Sequence, residues 1–324
     1  MVIAAGADDD ASATPSSRGS RPARGRRPLT GLAPARREAL FGWAMVSAAL
    51  LVVLVFTALP IVASFVLAFF SWDAISSPKF VGLENFRTLV GDSAVMHSLR
   101  VTLVLAVLIV VLQVVVGLCL ALLVAQRTSR LARGAFRTAF FLPLLASAAS
   151  ISIVMTYVFD DHFGVVNYYL HLVHLPQVPW LGSVHGATAT IVLVAVWQQL
   201  GFTFILFVAA LSALPVDVLE AATMDGIGPV RMFFSIKLPL ISPTVLFTSV
   251  VGLINAMQLF DQPFVMTKGG PGEATETTVL LIYQTAFQNL QFGYASAISV
   301  VLFVLLMIIT AIQFFAGRKW VFYS

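Results

Sequence analysis

The sequence is poor in charge. Only 10% of its 324 residues are Asp, Glu, Lys or Arg, against 59% that are hydrophobic, whereas soluble domains carry about 25% charged and about 45–50% apolar residues. A water-soluble body of this size would lack the polar surface to cover itself. Cysteine is nearly absent: with Cys119 alone, a disulfide framework and any multi-cysteine metal or cluster site are excluded. No Walker-type Gly-rich phosphate loop occurs, and no H-E-x-x-H or G-x-S-x-G motif. The familiar sequence devices for hydrolysing ATP, peptides or esters are therefore missing.

Long apolar runs are what the sequence has instead. A transmembrane helix needs about 20 consecutive apolar residues. Runs free of Asp, Glu, Lys and Arg occur at 41–70, 101–126, 140–159, 187–211, 238–260 and 295–316. None alternates at every second position, as barrel strands would. The expected fold is an all-α integral membrane protein with six transmembrane helices, the third of them short.

Fifteen of the nineteen basic residues fall on one side of that topology. They are seven arginines of the N-terminal tail, Arg127, Arg130, Arg133 and Arg137 between spans two and three, Arg231 and Lys237 between spans four and five, and Arg318 and Lys319 after span six. Only Lys79, Arg87, Arg100 and Lys268 fall on the other. The excess of positive charge inside predicts that both termini are cytoplasmic. Residues 1–38, rich in Ala, Ser, Gly, Pro and Arg, are expected to be a disordered basic tail, followed by the six-helix domain over 39–324. The first apolar run is about twice the length of a signal peptide's apolar region, so it reads as an uncleaved helix. The tail's arginines suit anionic lipid headgroups rather than nucleic acid.

The spans contain essentially no ionisable side chain, Asp261 at the end of the fifth being the nearest. Ion-coupled carriers place such groups inside the bundle, because a proton or ion needs a site that changes charge. If this chain moves a solute uphill, the energy comes from another polypeptide.

The connection over about 214–239 is unusually structured for a loop. Pro215 suits the first turn of a short helix carrying Leu219, Glu220, Ala221, Ala222 and Met224. Asp225-Gly226 signals a turn, with Gly226 at positive φ closing that helix. Gly228-Pro229 opens a second helix with an apolar side (Val230, Phe233, Phe234, Ile236), and Leu238-Pro239 punctuates the start of span five. Such an amphipathic pair can dock in a groove on a soluble partner and transmit its movement.

Glu220-Ala221-Ala222, then Asp225-Gly226, Phe233, Ile236 and Leu238-Pro239 resemble the "EAA" coupling loop in the membrane subunits of bacterial ATP-binding-cassette importers. Phe80-Val81-Gly82-Leu83-Glu84-Asn85-Phe86, Phe140-Phe141-Leu142-Pro143 and Thr267-Lys268-Gly269-Gly270-Pro271 resemble the carbohydrate branch, the maltose- and glycerol-3-phosphate-type permeases. The resemblance covers about residue 41 to the C-terminus. It departs at Ile227, where Ala is commoner, and at Lys268, where Gly is common.

The resemblance implies a type I ABC importer permease fold in the inner membrane. It implies a subunit that forms half of a sugar pore beside a second, homologous permease. An ATPase dimer below would hold the ATP and Mg, leaving no cofactor in this chain, and an extracytoplasmic binding (lipo)protein would deliver substrate. By the same resemblance Glu220, Ala221, Ala222, Asp225 and Gly226 sit in the coupling helix, with Arg231 and Lys237 positioned to pair with acidic groups around the ATPase cleft. The chain would supply a bistable element and no catalysis.

A sugar path needs hydrogen-bonding groups and flat aromatic faces rather than charge. Span four offers Trp197, Gln198, Gln199 and Phe202, and span five offers Asn255, Gln258 and Asp261. Asn255 and Gln258 are three apart and share a helical face. The competing role for such amides is bonding between neighbouring helices, which is also the expectation for Gln113. His171 and His174 are spaced to share a face of an extracytoplasmic amphipathic helix, too few for a metal site. Cys119 reads as a small apolar filler, and Asp160-Asp161-His162 as a loop boundary. The alternatives are an importer permease for a non-sugar solute such as glycerol phosphate or a polyamine, a membrane-embedded enzyme, and a pure scaffold subunit. An anionic substrate predicts arginines along the path, and none lies at depth.

Overall fold

A computed structural model describes residues 32–125 and 130–322. The tail expected over 1–38 lies outside the described residues as far as residue 31, as does Arg127. The chain divides into two compact units, Met1–Leu59 and Pro60–Ser324. The described part of the first unit is α1 (Leu32–Val53) and a π turn over Leu54–Ala58. Within it begins the first apolar span, Phe41–Leu67.

The second unit opens with α2 (Leu59–Leu67) and a hairpin of β1 (Phe70–Ser71) and β2 (Lys79–Phe80), antiparallel with Phe70 opposite Phe80. Then come α3 (Glu84–Gly91), α4 (Ser93–Ala125), α5 (Arg130–Leu145), α6 (Ala148–Val158), α7 (Val165–Leu172) and α8 (Val184–Ser212). After α8 follow α9 (Val216–Met224), α10 (Pro229–Met232), a π segment Phe233–Lys237, α11 (Leu238–Leu240) and α12 (Ser242–Met257). A π segment Pro263–Thr267, α13 (Thr278–Tyr283), a π segment Gln284–Gln288 and α14 (Phe292–Gly317) complete the chain.

Four of the expected spans are unbroken helices: Phe41–Leu67, Ser93–Val124, Val184–Ser212 and Phe292–Gly317. Two of them, Ser93–Val124 and Val184–Ser212, start before their apolar runs, where polar residues bond the first turn. Asp92 Oδ1 accepts from the Ala94 N–H at 2.9 Å, and Ser183 Oγ accepts from the Gly186 N–H at 3.1 Å.

The other two are bent pairs. Span three is two helices, Thr138–Leu145 and Ala148–Val158, at 110° to each other. Pro143 deprives the last turn of α5 of one donor, and Ser147 takes an extended backbone (ψ 136°) before α6. In span five, Pro229–Leu240 and Ser242–Met257 meet at 68°. The break lies at Ile241 rather than at Leu238-Pro239 as expected. Proline has no N–H and its ring crowds the carbonyl four residues back. The helix absorbs Pro239 by widening into the π turn just before it. The break then falls between Pro239 and Pro243.

The core is the packing of α4, α8 and α12. Leu105 and Ile109 meet Ile191, Ala195 and Met257 near the middle. A second cluster, Leu118, Ala121, Phe204, Phe207 and Ile241, lies toward α9. Lipid tails are as apolar as Leu, so close approach and a few polar bonds hold such helices together. Both are present. A Cβ at Gly201 of α8 would fall on the Phe140 carbonyl of α5, so only glycine admits that contact. Gln113 Nε2 donates to Thr203 Oγ1 at 2.6 Å, tying α4 to α8 as expected of that amide. Cys119 does not fill a gap: it is exposed, because Leu118 and Ala121 occupy the packed side of α4.

Candidate coupling surface and translocation path

The segment between α8 and α12 is built from its punctuation. Pro215 stands one position outside α9, as its N-cap, rather than within the first turn. Asp217 in that turn complements the helix dipole. At the other end the Ile227 N–H donates to the Ala222 carbonyl at 3.1 Å and the Gly226 N–H to the Thr223 carbonyl at 3.0 Å. These two bonds make a Schellman motif, which needs a left-handed residue; Gly226 supplies it at φ +72°. Gly228 then caps α10 with Pro229 in its first position.

Two side chains anchor this element, Ala222 and Met232, both buried. Phe233 and Leu238 are half-buried against the cluster around Ile241, and most of the rest faces out. Glu220, Ala221, Asp225, Gly226 and Arg231 are exposed, Lys237 half so. Met224 is 87% exposed, Val230 70% and Phe234 62%. An apolar surface at that exposure beside charges of both signs is what a docking face requires.

The element is tied mechanically to the bundle. Ile241, at the bend, is buried among Leu118, Ala121, Phe204 and Phe207. Ser242 Oγ donates to the Pro239 carbonyl at 2.6 Å and accepts the Phe322 N–H at 3.0 Å, clipping the C-terminal segment to the bend. A push on α9 and α10 therefore reaches α4, α8 and α12 through packed side chains.

Of the expected path residues, the structure joins some and separates others. Asn255 Nδ2 donates to Gln199 Oε1 at 3.4 Å, linking α12 to α8 on an exposed side. Gln258 caps α12 and is exposed next to that pair, with Phe202 and Asp261 half-buried. Gln198 turns the other way: Gln262 Nε2 donates to its Oε1 at 2.8 Å, both side chains being buried. Trp197 packs beside Ile151, Val194 and Met266. Gln262 was not anticipated from the sequence; its one signal was its place in a short polar run after span five.

Elsewhere, Asp160 Oδ1 accepts from the N–H groups of His162 and Phe163 at 2.9 and 2.8 Å, so the Asp-Asp-His cluster is the loop boundary expected. These bonds hold the Asp160 carboxyl below its ordinary value. His171 and His174 do not share a helical face, because α7 stops at Leu172 and His174 is left-handed at φ +59°. No group of three or more His, Cys, Asp or Glu suited to a metal occurs among the described residues.

Comparison with known proteins places this geometry. Residues 113–321 match the family described as "Binding-protein-dependent transport system inner membrane component". The probable starch degradation products transport system permease protein AmyD of Thermoanaerobacterium thermosulfurigenes is 31% identical over 283 residues, 87% of this chain and 96% of that protein. The sn-glycerol-3-phosphate transport system permease protein UgpA of Agrobacterium fabrum is 36% identical over 251 residues, 76% of this chain and 84% of that protein. A chain of a bacterial ABC transporter that imports the acidic polysaccharide alginate shares the fold, with a TM-score of 0.76 at 22% identity over 88% of this chain and 97% of that one. The chain belongs to the binding-protein-dependent inner membrane component family, as the permease subunit of an ATP-binding-cassette importer.

Proposed function

We propose that this permease forms one half of the translocation pore of an ATP-driven sugar importer. Its pore partner is a second homologous permease. A separate ATPase dimer holds ATP and Mg, so this chain itself carries no cofactor and no catalytic residue. An extracytoplasmic binding (lipo)protein loads the pore, and both termini lie in the cytoplasm.

The observation that carries the proposal is the Schellman-closed helix pair of α9 and α10, exposed on its outer face and locked to α12 through Ile241. Glu220, Ala221, Asp225 and Gly226 seat in the ATPase cleft, with Arg231 and Lys237 at its rim; Ala222, expected among them, is buried and anchors the helix from behind instead. Closure of the ATPase dimer draws the two coupling elements together and rocks the bundle outward-open; hydrolysis resets it. Gln199, Asn255 and Gln258, with Phe202 and Asp261 half-buried close by in the chain, offer amides and ring surface to a polyhydroxylated solute, while Trp197 packs away from them on Ile151, Val194 and Met266. Gln198 faces away from these amides and bonds the buried Gln262, and so fixes α8 rather than lining the path.

The sugar assignment draws on the motif resemblance and on a relative named for starch degradation products. A phosphorylated solute, for which UgpA is named, calls for cations, and none of the path positions carries one.

The test is uptake by the complete importer in lipid vesicles. Sugar accumulation should require ATP and the binding protein, and Glu220→Lys should abolish it and uncouple ATP hydrolysis, while the variant still inserts and folds because Glu220 is exposed. If this chain alone concentrates solute on a proton or sodium gradient, the proposal is wrong.

A further inference from the structure

At the far end of α12 from the coupling element, aromatic rings form a continuous series. Phe260 stacks on Phe264 with centroids 5.0 Å apart and planes 14° apart. Phe264 meets Tyr283 edge-on at 5.1 Å (68°), Tyr283 meets Phe287 tilted at 5.4 Å (35°), Phe287 meets Phe292 edge-on at 5.6 Å (81°), and Phe292 meets Trp72 tilted at 5.7 Å (49°). None of the six is buried, and Phe287 is 63% exposed.

Polar groups stand at both ends. The inner end, Phe260, lies two residues beyond Gln258 and next to Asp261. At the outer end Trp72 lines a cavity of about 510 Å³ with Asp73, Lys79, Thr88, Asp92 and Gln291. Its acceptors are held in place: Tyr294 donates its hydroxyl to Asp92 Oδ2 at 2.7 Å, and Ser76 donates both backbone N–H and hydroxyl to Asp73 Oδ1 at 2.7 and 2.8 Å. The bonds from Ser76 and Ile75 lower the Asp73 pKa to about 2, so it stays anionic through the physiological range.

An interfacial belt presents single aromatic rings to lipid headgroups. It does not need a chain of ring contacts that runs from a hydrogen-bonding cavity to within two residues of Gln258. A pyranose has an apolar C–H face that stacks on an aromatic ring and an equatorial rim of hydroxyls that bonds carboxylates and amides. Rings in series suit such units in series. Two carboxylates against one lysine in the cavity disfavour an acidic glycan.

We propose that the series from Trp72 to Phe260 is a stacking track for a neutral linear oligosaccharide, with the Trp72 cavity as its outer subsite. This rests on the sugar assignment made above. The test is ATP-driven uptake by the complete importer in vesicles, with the binding protein unchanged, of α- and β-linked neutral glucans from disaccharide to heptasaccharide. For Tyr283→Ala/Phe287→Ala the loss should grow with chain length, from about twofold for the shortest to about tenfold for the longest, as expected when stacking contacts are removed one by one. Tyr283→Phe/Phe287→Tyr, which keeps both rings, should restore long-chain uptake. An equal loss at every length, or a loss tracking only a fall in thermal stability, would overturn the track and leave the importer assignment standing, as would no loss at all. If the wild-type complex takes up none of these glucans, the sugar assignment itself fails and the track with it.

Discussion

Gly226 shows how one backbone angle is separable from the side chain it forbids. Its φ of +72° closes α9, and a Cβ there would meet nothing within 4 Å. Only conformational strain opposes substitution, about 1–2 kcal/mol for a residue with a Cβ and less for Asn, which tolerates the left-handed region. Gly226→Val should therefore cost most of the ATP-driven uptake while Gly226→Asn keeps most of it, as measured in vesicles. Equal loss in both would mean that the partner reads the bare backbone instead. The adjacent glutamines of α8 should separate in the same way. Gln198→Leu leaves the buried Gln262 amide without its acceptor, a cost of about 1–3 kcal/mol visible as a lower thermal midpoint. Gln199→Leu, at a half-buried position with only a long 3.4 Å bond to the exposed Asn255, should lower the midpoint less than Gln198→Leu does, and its effect should appear in uptake. The residue types were legible from the start; which glutamine bonds which amide was not, because adjacent positions on a helix point about 100° apart.

At the scale of the element, the bend into α12 matters most. The pairing of Gly228-Pro229 with a new helix was readable from proline's missing donor, but Pro239 misled. A helix can absorb a proline by widening, and the 233–237 π turn does so. A π turn holds one extra residue, so its removal should rotate the coupling face by roughly 100° about the helix axis. Pro239→Ala restores the N–H and removes the ring. The variant should fold with an unchanged or higher thermal midpoint yet lose most of its uptake, since the docking face would turn away from its partner. Retained uptake would show that the π turn is incidental. Span three carries the same lesson: its apolar run is continuous over 140–159, but a donor lost at Pro143 and an extended Ser147 fold it into two helices.

At the scale of the whole molecule, the loop beyond α12 carries a pH response. Glu276 is buried there, and burial first, then the Glu273 carboxylate, raises its pKa above the ordinary 4.5, with His97 opposing. A carboxyl whose folded value is raised favours the folded state below its unfolded value, and that contribution is lost as pH rises through the folded value. At neutral pH the charged, buried Glu276 is thus a cost, and Glu276→Gln should raise the thermal midpoint. The gain should close as pH falls below about 4.5, as a pH series of melting curves can show; a gain that persists in acid would place its origin elsewhere. The sequence by itself determined the apolar spans and the left-handed turn at Gly226, because each follows from the solvation or backbone freedom of residues close together in the chain. The tertiary structure alone decided which amides meet, where two of the spans bend, and that Trp72 and Phe260, far apart in the sequence, end one series of rings. Those outcomes depend on how each helix is rotated against its neighbours, and packing sets that rotation.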